Sequence, residues 1–392
     1  MRAITRRQVA IRTAAMALAI QVPLAGAAEP PKDPPAFKMA AFTALSGPQS
    51  MWGTIHSRGL KMAVDEINAA GGIQGIKIDL RIEDHQNKSD VAVAALNRVM
   101  ATEGGGKSAG VPVVFPSFGA PTQAQLPLAD QYDLLMMSAG GGSPALIQGS
   151  KYIFHDRMMY GAAGLAMFKR AKEFGKNLAV ITLKLDLGEY LIKTTLPEWE
   201  KSYGGKVVAQ EMVAYGATNI DTQVAKVKSA NPDVVLLWET QPDTGLAIKR
   251  LREFGVKAPI IAIDLGAPDL KVAGNSAEGV ESISDPFRPT PENPWSMQFD
   301  ANFRKLFSTE PVVANAYYYE MVYIVAEAIK RSRAKGGDYY TGPRLAAEIR
   351  AAKEFKSVIG GTLHFAKDDT VVRPLALFKV EGGDMKFVRY IK

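Results

Sequence analysis

The sequence predicts an α/β protein made of two doubly wound lobes. Three observations carry that reading. Runs such as residues 234–237 and 260–263 have almost no polar content, as do strands buried on both faces of a parallel sheet. The alternation of such runs with amphipathic segments starts after Phe37 and restarts after His155. About 330 residues lie beyond a leader and a tether, which is more than one core usually takes.

The first run opens with a helix over 59–70, with Leu60, Ala63, Val64 and Ile67 on one face and Lys61, Asp65 and Glu66 elsewhere. Gly71 and Gly72 can take the left-handed geometry that ends it. Ile76, Ile78 and Leu80 alternate with Lys77, Asp79 and Arg81 as a half-buried strand. A helix over 89–101, a strand over 111–115, a helix over 123–130 and a strand over 134–137 follow. The second run reads as helix 161–174, strand 178–182, helix 190–203, strand 207–213 and helix 222–229. Strand 234–237, helix 244–254 and strand 260–263 complete it. The tail differs, with helices over 295–307, 315–333 and 343–352 and then strands over 362–365, 373–380 and 387–391. Such a tail returns to the earlier lobes. Pro286 and Pro289 mark one crossing and the Asp368–Asp369 region another.

Residues 1–27 have the layout of a cleaved export signal. Arg2, Arg6, Arg7 and Arg12 precede an apolar stretch over 14–25, and Ala25-Gly26-Ala27 supplies small residues before Ala28. The stretch is broken by Gln21 and Pro23 and is too short to span a bilayer. The Arg6-Arg7 pair suggests the twin-arginine route, although such pairs also occur in ordinary signals. A mitochondrial-type leader fits less well, because the arginines sit ahead of the apolar core. Residues 28–37 carry Pro30, Pro31, Pro34 and Pro35 and read as a flexible tether.

With no cysteine in the sequence, thiol catalysis, cysteine metal sites and lipid attachment through an N-terminal cysteine are excluded. The formal charge of +7 shrinks once four arginines leave with the signal, since 47 basic and 40 acidic side chains become 43 and 40. That balance makes no case for nucleic acid.

Catalytic and cofactor signatures were sought along the chain. Neither a GxGxxG between strand and helix nor a GxxxxGK[ST] loop occurs. Gly104-Gly105-Gly106-Lys107-Ser108 lacks the upstream glycine of a phosphate loop and reads as a surface turn. His56, His85, His155 and His364 show no metal-type spacing, and no GxSxG elbow is present. Asp84 and Asp264 each follow a strand, without an accompanying nucleophile or orienting group. No catalytic residue, metal or cofactor is therefore expected. The glycine clusters Pro116-Ser117-Phe118-Gly119-Ala120 and Ser138-Ala139-Gly140-Gly141-Gly142-Ser143 follow strands at the same end of the inferred sheet. Backbone N–H groups there can hold a carboxylate, or the glycines only permit tight turns; the shared end favours ligand contact.

The order and spacing of several segments resemble the branched-chain amino-acid (Leu/Ile/Val) type of periplasmic solute-binding protein, the receptor of an ABC importer. They are Gly59-Leu60-Lys61-Met62-Ala63-Val64-Asp65-Glu66-Ile67-Asn68-Ala69-Ala70-Gly71-Gly72-Ile73-Gln74-Gly75 and, further on, Asp84. Thr218-Asn219-Ile220-Asp221, Pro232-Asp233-Val234-Val235 and Ala277-Glu278-Gly279-Val280 continue the series.

The resemblance implies a type I periplasmic-binding-protein fold, two Rossmann-like lobes joined by a three-strand hinge. Its expected division is 38–156 and 285–370 in lobe 1, 157–284 in lobe 2, and 371–392 as hinge return and the end of lobe 2. It implies a small-molecule solute, membrane permease subunits as partners, a periplasmic location, a monomer and no enzymatic activity. The matching carboxylate-binding loops are Ser117, Phe118, Gly119 and Ala120, and Gly140, Gly141 and Gly142 up to Ser143. Phe118, Gly119 and Gly142 stand where the family pattern has serine and threonine. A second-lobe aromatic maps to Leu187, and the acid that meets a ligand ammonium maps to Asp264.

Phe118, Leu187 and Trp238 could form an apolar wall, with Trp238-Glu239 ending a strand near the cleft; Trp238 reads equally well as core, and Phe118 as a support residue. Tyr317-Tyr318-Tyr319 reads mainly as core. The solute is thus either a leucine-like amino acid or an aromatic or short aliphatic carboxylate. A ligand-sensing protein on the same fold is the alternative, and an exported enzyme a weaker one.

Overall fold

Two mainly parallel sheets organise the chain in the computed structural model, which describes residues 29–105, 110–148 and 150–391. The leader over 1–27 and residues Gly106 to Ser108 of the glycine turn lie outside the described residues. In the first sheet, β1 (Phe37–Thr43), β2 (Ile78–Asp84), β3 (Val113–Pro116), β4 (Leu135–Ser138) and β5 (Ile153–His155) run parallel in the order β2-β1-β3-β4-β5. The helices between them are α1 (Ser50–Ala69), α2 (Ser89–Glu103) and α3 (Gly119–Gln131).

The second run contains β6 (Asn177–Leu183), β7 (Lys206–Val213), β8 (Val234–Trp238), β9 (Ile260–Ile263) and β10 (Glu281–Ser284). Its helices are α4 (Tyr160–Ala171), α5 (Asp186–Tyr190) and α6 (Leu196–Tyr203), joined by the π-turn Leu191–Thr195, then α7 (Asp221–Ser229), α8 (Asp243–Glu253) and α9 (Ala267–Ala273). α10 (Pro294–Phe307), α11 (Val313–Arg333) and α12 (Gly342–Ala351) pack back on the first lobe. A small antiparallel sheet of β11 (Phe355–Ser357), β12 (Gly361–Phe365) and β13 (Val371–Val372) follows. β14 (Leu375–Glu381) and β15 (Asp384–Ile391) then join the second sheet antiparallel, giving β15-β14-β10-β9-β8-β6-β7.

Both sheets wind the same way, with strand order reversing between β1 and β3 and between β6 and β8. The period of two along each strand splits the first lobe's core. Met39 and Ala41 face one side with α1 and α11, while Ala40 and Phe42 face the other with α2 and α3.

Several elements depart from the sequence expectation, among them the unanticipated strands β1, β5, β11 and β13 and the elements α1, β10 and α9. α1 begins at Ser50 instead of residue 59, and Gly53 and Gly59 lie inside it. A Cβ at Gly53 would lie 1.8 Å from the Ala44 carbonyl oxygen, and one at Gly59 2.3 Å from that of Asn315. These glycines allow close packing and do not interrupt the helix. β10, Glu-Ser-Ile-Ser, has too little apolar content to read as a buried strand. Its polar groups are answered locally: Glu281 accepts from Arg170 at 2.6 Å, and Ser282 Oγ accepts from the Leu265 N–H at 3.0 Å. α9 was also not expected.

The chain passes between the sheets after β5, after β10 and after β13. A buried charge cluster joins all three passages. Arg373 donates to Asp156 and, at 2.8 Å, to Glu320, and all three side chains are at most 2% exposed. Glu320 also accepts from the Ser357 hydroxyl at 2.7 Å and the Val358 N–H at 2.9 Å. Asp285 accepts from the Tyr317 hydroxyl at 2.6 Å and the Met158 N–H at 3.0 Å. Burial pushes the Asp156 carboxyl well above the usual range although Arg373 opposes the shift.

Replacing Arg373 by Met leaves Asp156 and Glu320 buried without their cation. The expected loss is about 3–5 kcal/mol in urea unfolding at neutral pH. A loss under about 1 kcal/mol would show that the cluster does not hold the passages together.

A second prediction concerns Asp269, whose carboxylate accepts from the Gly245 and Gly266 N–H groups at 3.1 and 3.0 Å. Burial pushes it up from 3.8 to about 7. The folded chain therefore holds this proton more tightly than the unfolded one. Its contribution to stability is full below about pH 4 and is lost as pH rises through about 7, with a slope of up to roughly 1.4 kcal/mol per pH unit. Asp269→Asn should flatten that part of the pH–stability curve; an unchanged curve would reject the assignment.

Candidate functional site

The C-terminal ends of the parallel strands of both sheets face one cavity of about 210 Å³. In open α/β sheets ligands bind at this end, where strand order reverses. The first lobe contributes Phe118, Gly119 and Ala120 after β3 and Ala139, Gly140 and Gly141 after β4. The second contributes Leu185, Asp186 and Leu187 after β6, Tyr215 after β7, Glu239, Thr240 and Gln241 after β8, and Asp264 after β9. Arg157, on the first passage between the sheets, and Tyr317 of α11 complete the inner wall.

On the first-lobe side, α3 starts at Gly119 with no side-chain cap from Phe118, and Gly119 faces Asp186 of the second lobe, whose carboxylate oxygen lies 2.1 Å from where a Cβ on Gly119 would stand. Phe118 precedes it with φ 65°, an uncommon left-handed conformation for a bulky residue. Its ring stands edge-on to His56 and His85, at 5.4 and 5.7 Å between centroids. Gly140 is a glycine for a packing reason, since a Cβ there would lie 2.2 Å from the Phe118 nitrogen. The two loops are thereby held together.

Three of the sequence-selected first-lobe residues, Ser117, Gly142 and Ser143, do not line the cavity. Ser117 is fully buried, and its hydroxyl donates within hydrogen-bond reach of the Phe42 carbonyl (3.0 Å) and the Thr43 hydroxyl (2.8 Å), tying β3 to β1. Gly142 instead gives the first passage room. Its carbonyl accepts from the Tyr160 N–H at 2.8 Å, and a Cβ would lie 2.6 Å from the Tyr160 ring.

On the second-lobe side, Leu187 is buried and lines the cavity. Trp238 does not: it is fully buried in the second-lobe core, edge-on to Tyr160 at 6.0 Å. Glu239, the next residue, does line the cavity, is 2% exposed, and has no hydrogen-bond partner for either carboxylate oxygen among the described residues. Burial, with Asp243 and Asp269 nearby, pushes its carboxyl well above the usual range. Asp264 already has a partner within the protein, since its Oδ2 accepts from Arg157 at 2.5 Å.

Sequence reasoning passed over Arg157, the cationic group of the cavity. It lies in His155-Asp156-Arg157, a polar triplet between a buried strand and a helix, and that interruption was the available signal. Its Nε is buried and unpartnered. Burial, followed by the charge of Arg157, pushes the His56 imidazole down to about 3, and burial pushes His155 to about 4. Both rings are therefore neutral at physiological pH. His155 Nε2 donates to the Gly141 carbonyl at 2.6 Å. Tyr317, read mainly as core, is buried and also touches the cavity. Asp84 lies away from the cavity, its carboxylate holding the turn N–H groups of Leu45 and Gln86 at 2.9 Å. Among the described residues no group of three or more acidic or histidine side chains could hold a metal ion.

The cavity thus offers backbone donors and a guanidinium on one side and carboxylate acceptors on the other.

Comparison with known proteins places this geometry in context. The chain is 27% identical over 353 residues to the Leu/Ile/Val-binding protein homolog 1 of Brucella suis, covering 88% of this chain and 90% of the relative. Its fold is similar to that of the branched-chain amino acid transporter substrate binding protein LivJ from Streptococcus pneumoniae in complex with isoleucine. The TM-score is 0.77 at 23% identity, over 90% of this chain and 99% of that one. It is equally similar to an ABC-transporter solute binding protein from R. palustris in complex with benzoate, with TM-score 0.78 at 18% identity, over 91% and 96% of the two chains. These likenesses show the type I periplasmic-binding-protein fold with two α/β lobes. The periplasmic binding protein family profile matches residues 36–384, nearly the whole described chain, and the protein belongs to that family.

Proposed function

We propose that the chain is the solute-binding receptor of an ABC importer, taking up a small carboxylate-bearing solute between its lobes and presenting the closed form to membrane permease subunits. The observation that carries the reading is the cavity between the two sheets with Arg157 at its inner wall. An arginine has five donors, and the pair with Asp264 leaves others free for a solute carboxylate. The start of α3, without a side-chain cap from Phe118, also favours an anion, a place that Asp186 of the second lobe approaches as well. A solute touching both lobes stabilises the closed form by its differential affinity for it.

The receptor acts as a monomer in the periplasm, exported through the leader over 1–27, with the twin-arginine route as the one its Arg6-Arg7 pair suggests. No bond is made or broken. Aromatic and short aliphatic carboxylates stand beside leucine-like amino acids as candidates, because Asp264, the position matched to an ammonium partner, is held by Arg157.

Thermal unfolding with leucine, isoleucine, benzoate, 4-hydroxybenzoate and 4-methylpentanoate tests the class. A solute at a hundredfold its Kd contributes about 2.7 kcal/mol, enough to raise the Tm by several degrees. No shift with any carboxylate, alongside a shift with neutral solutes, would sink the reading. For a solute that binds, Arg157→Lys keeps the charge and removes the planar fork. Affinity should fall at least tenfold with the far-UV spectrum unchanged, whereas full affinity would remove Arg157 from the site.

A further inference from the structure

We propose that Glu239 forms a donor-recognising subsite, taking a hydrogen-bond donor of the solute, an ammonium or a hydroxyl, at the second-lobe end of the cleft. The inference rests on the receptor reading above and adds to it the chemistry of the solute's second end.

Three carboxylates follow adjacent strands of the second sheet and border the same cavity: Asp186 after β6, which approaches Gly119 at the start of α3, Glu239 after β8 and Asp264 after β9. Asp264 is answered by Arg157 at Oδ2 only, its Oδ1 being buried and unpartnered. Glu239 is answered by nothing among the described residues, although it is 98% buried. Its charged neighbours, Asp243 and Asp269, are acidic and cannot serve as its counter-ions.

The backbone that carries Glu239 is fixed. The Trp238 carbonyl accepts from the Thr182 hydroxyl at 2.7 Å, and the buried Trp238 ring anchors the strand end in the core. The next two residues repeat the pattern. Thr240 Oγ1 is unpartnered, and Gln241 donates its amide to the Asp264 carbonyl at 2.9 Å, leaving its own Oε1 unpartnered. Three consecutive side chains therefore border the cavity with unanswered oxygens. Buried polar groups in native proteins are nearly always hydrogen-bonded, so an acceptor wall of this kind points to a donor that arrives with the solute.

Burial and the two acidic neighbours push the Glu239 carboxyl well above the usual range, toward its protonated form. In that state it can accept from a hydroxyl and remain neutral. An ammonium would instead draw the proton off and form an ion pair.

The test is calorimetry of the full exported chain, wild type, Glu239→Gln and Glu239→Leu, with two solute pairs that differ only in a donor. The pairs are leucine against 4-methylpentanoate and 4-hydroxybenzoate against benzoate. In wild type the donor-bearing member of one pair should bind at least tenfold tighter, and Glu239→Leu should abolish that advantage. If the donor is an ammonium, Glu239→Gln also loses it, because a neutral amide leaves the charge unpaired. If it is a hydroxyl, Glu239→Gln keeps most of it.

Without ligand, Glu239→Gln should melt at or above the wild-type temperature, since no partner in the protein is lost. A clear fall in that melting temperature would mark a structural role and overturn the proposal. An advantage unchanged in Glu239→Leu, or donor-free solutes binding wild type as tightly, would overturn the subsite and leave the receptor reading standing. Absence of binding by any of the four solutes to wild type would overturn the subsite for these solute classes, while the receptor reading falls only on the wider thermal panel above.

Discussion

The Arg373 cluster is the constraint on which the rest of the molecule depends. It draws on all three segments that pass between the sheets: Asp156 from the first, Arg373 from the third, and Asp285 of the second, which reaches the same helix face through Tyr317. Tyr317 and Glu320 lie three residues apart on α11, so one helical face receives both the second and third passages. A buried ion cluster adds little net stability over apolar packing, but its geometry is demanding. Here the demand is that three distant stretches of chain meet at one point. Arg157 and Met158 directly follow Asp156, and the Met158 N–H is held by Asp285. The cationic group of the cleft therefore takes its place from the hinge, not from either lobe.

The electrostatics of the cleft follow from that placement. Arg157 lies near His56 and His155, and both rings are buried and neutral, which keeps the first-lobe wall free of competing cations. Gly141 meets His155 through its carbonyl, and Gly140 packs on the Ser117–Phe118 backbone. The glycine loops thus serve two ends at once. They let the loops after β3 and β4 approach closely, and Gly119 leaves room for the Asp186 carboxylate at the start of α3.

The fold was largely legible because strands buried on both faces have nothing polar to confuse the pattern. The strand over 260–263 and the core of 234–238 stand in the structure as the run of apolar residues implies. What failed to show were elements whose physical logic lies elsewhere in the chain. β10 is a strand because Arg170 and the Leu265 N–H answer its polar groups, and neither can be seen from Glu-Ser-Ile-Ser alone. Gly53 and Gly59 look like helix breakers until the Ala44 and Asn315 carbonyls packed against them are known. Ser117 and Trp238 were attractive as site residues because each sits at a strand end. Such an end places a side chain either toward the cleft or into the sheet's own core, and for these two it is the core.

The same limit governs the site's chemistry. Glu239 and Asp264 look alike in the sequence: each is an acid directly after a short apolar strand, and each reaches the cavity. Their difference lies in Arg157, brought to Asp264 across 107 residues of chain by the hinge. One acid neutralises the cleft's arginine, while the other is buried with its oxygens unanswered. Asp264 keeps one buried oxygen, Oδ1, without a partner, whereas Glu239 has neither oxygen answered, and an unpaired buried carboxylate is costly to keep unless something pairs it. Residue type and position in the chain cannot separate these cases. The position of one guanidinium does: it holds Asp264 Oδ2 and leaves Glu239 without a partner among the described residues.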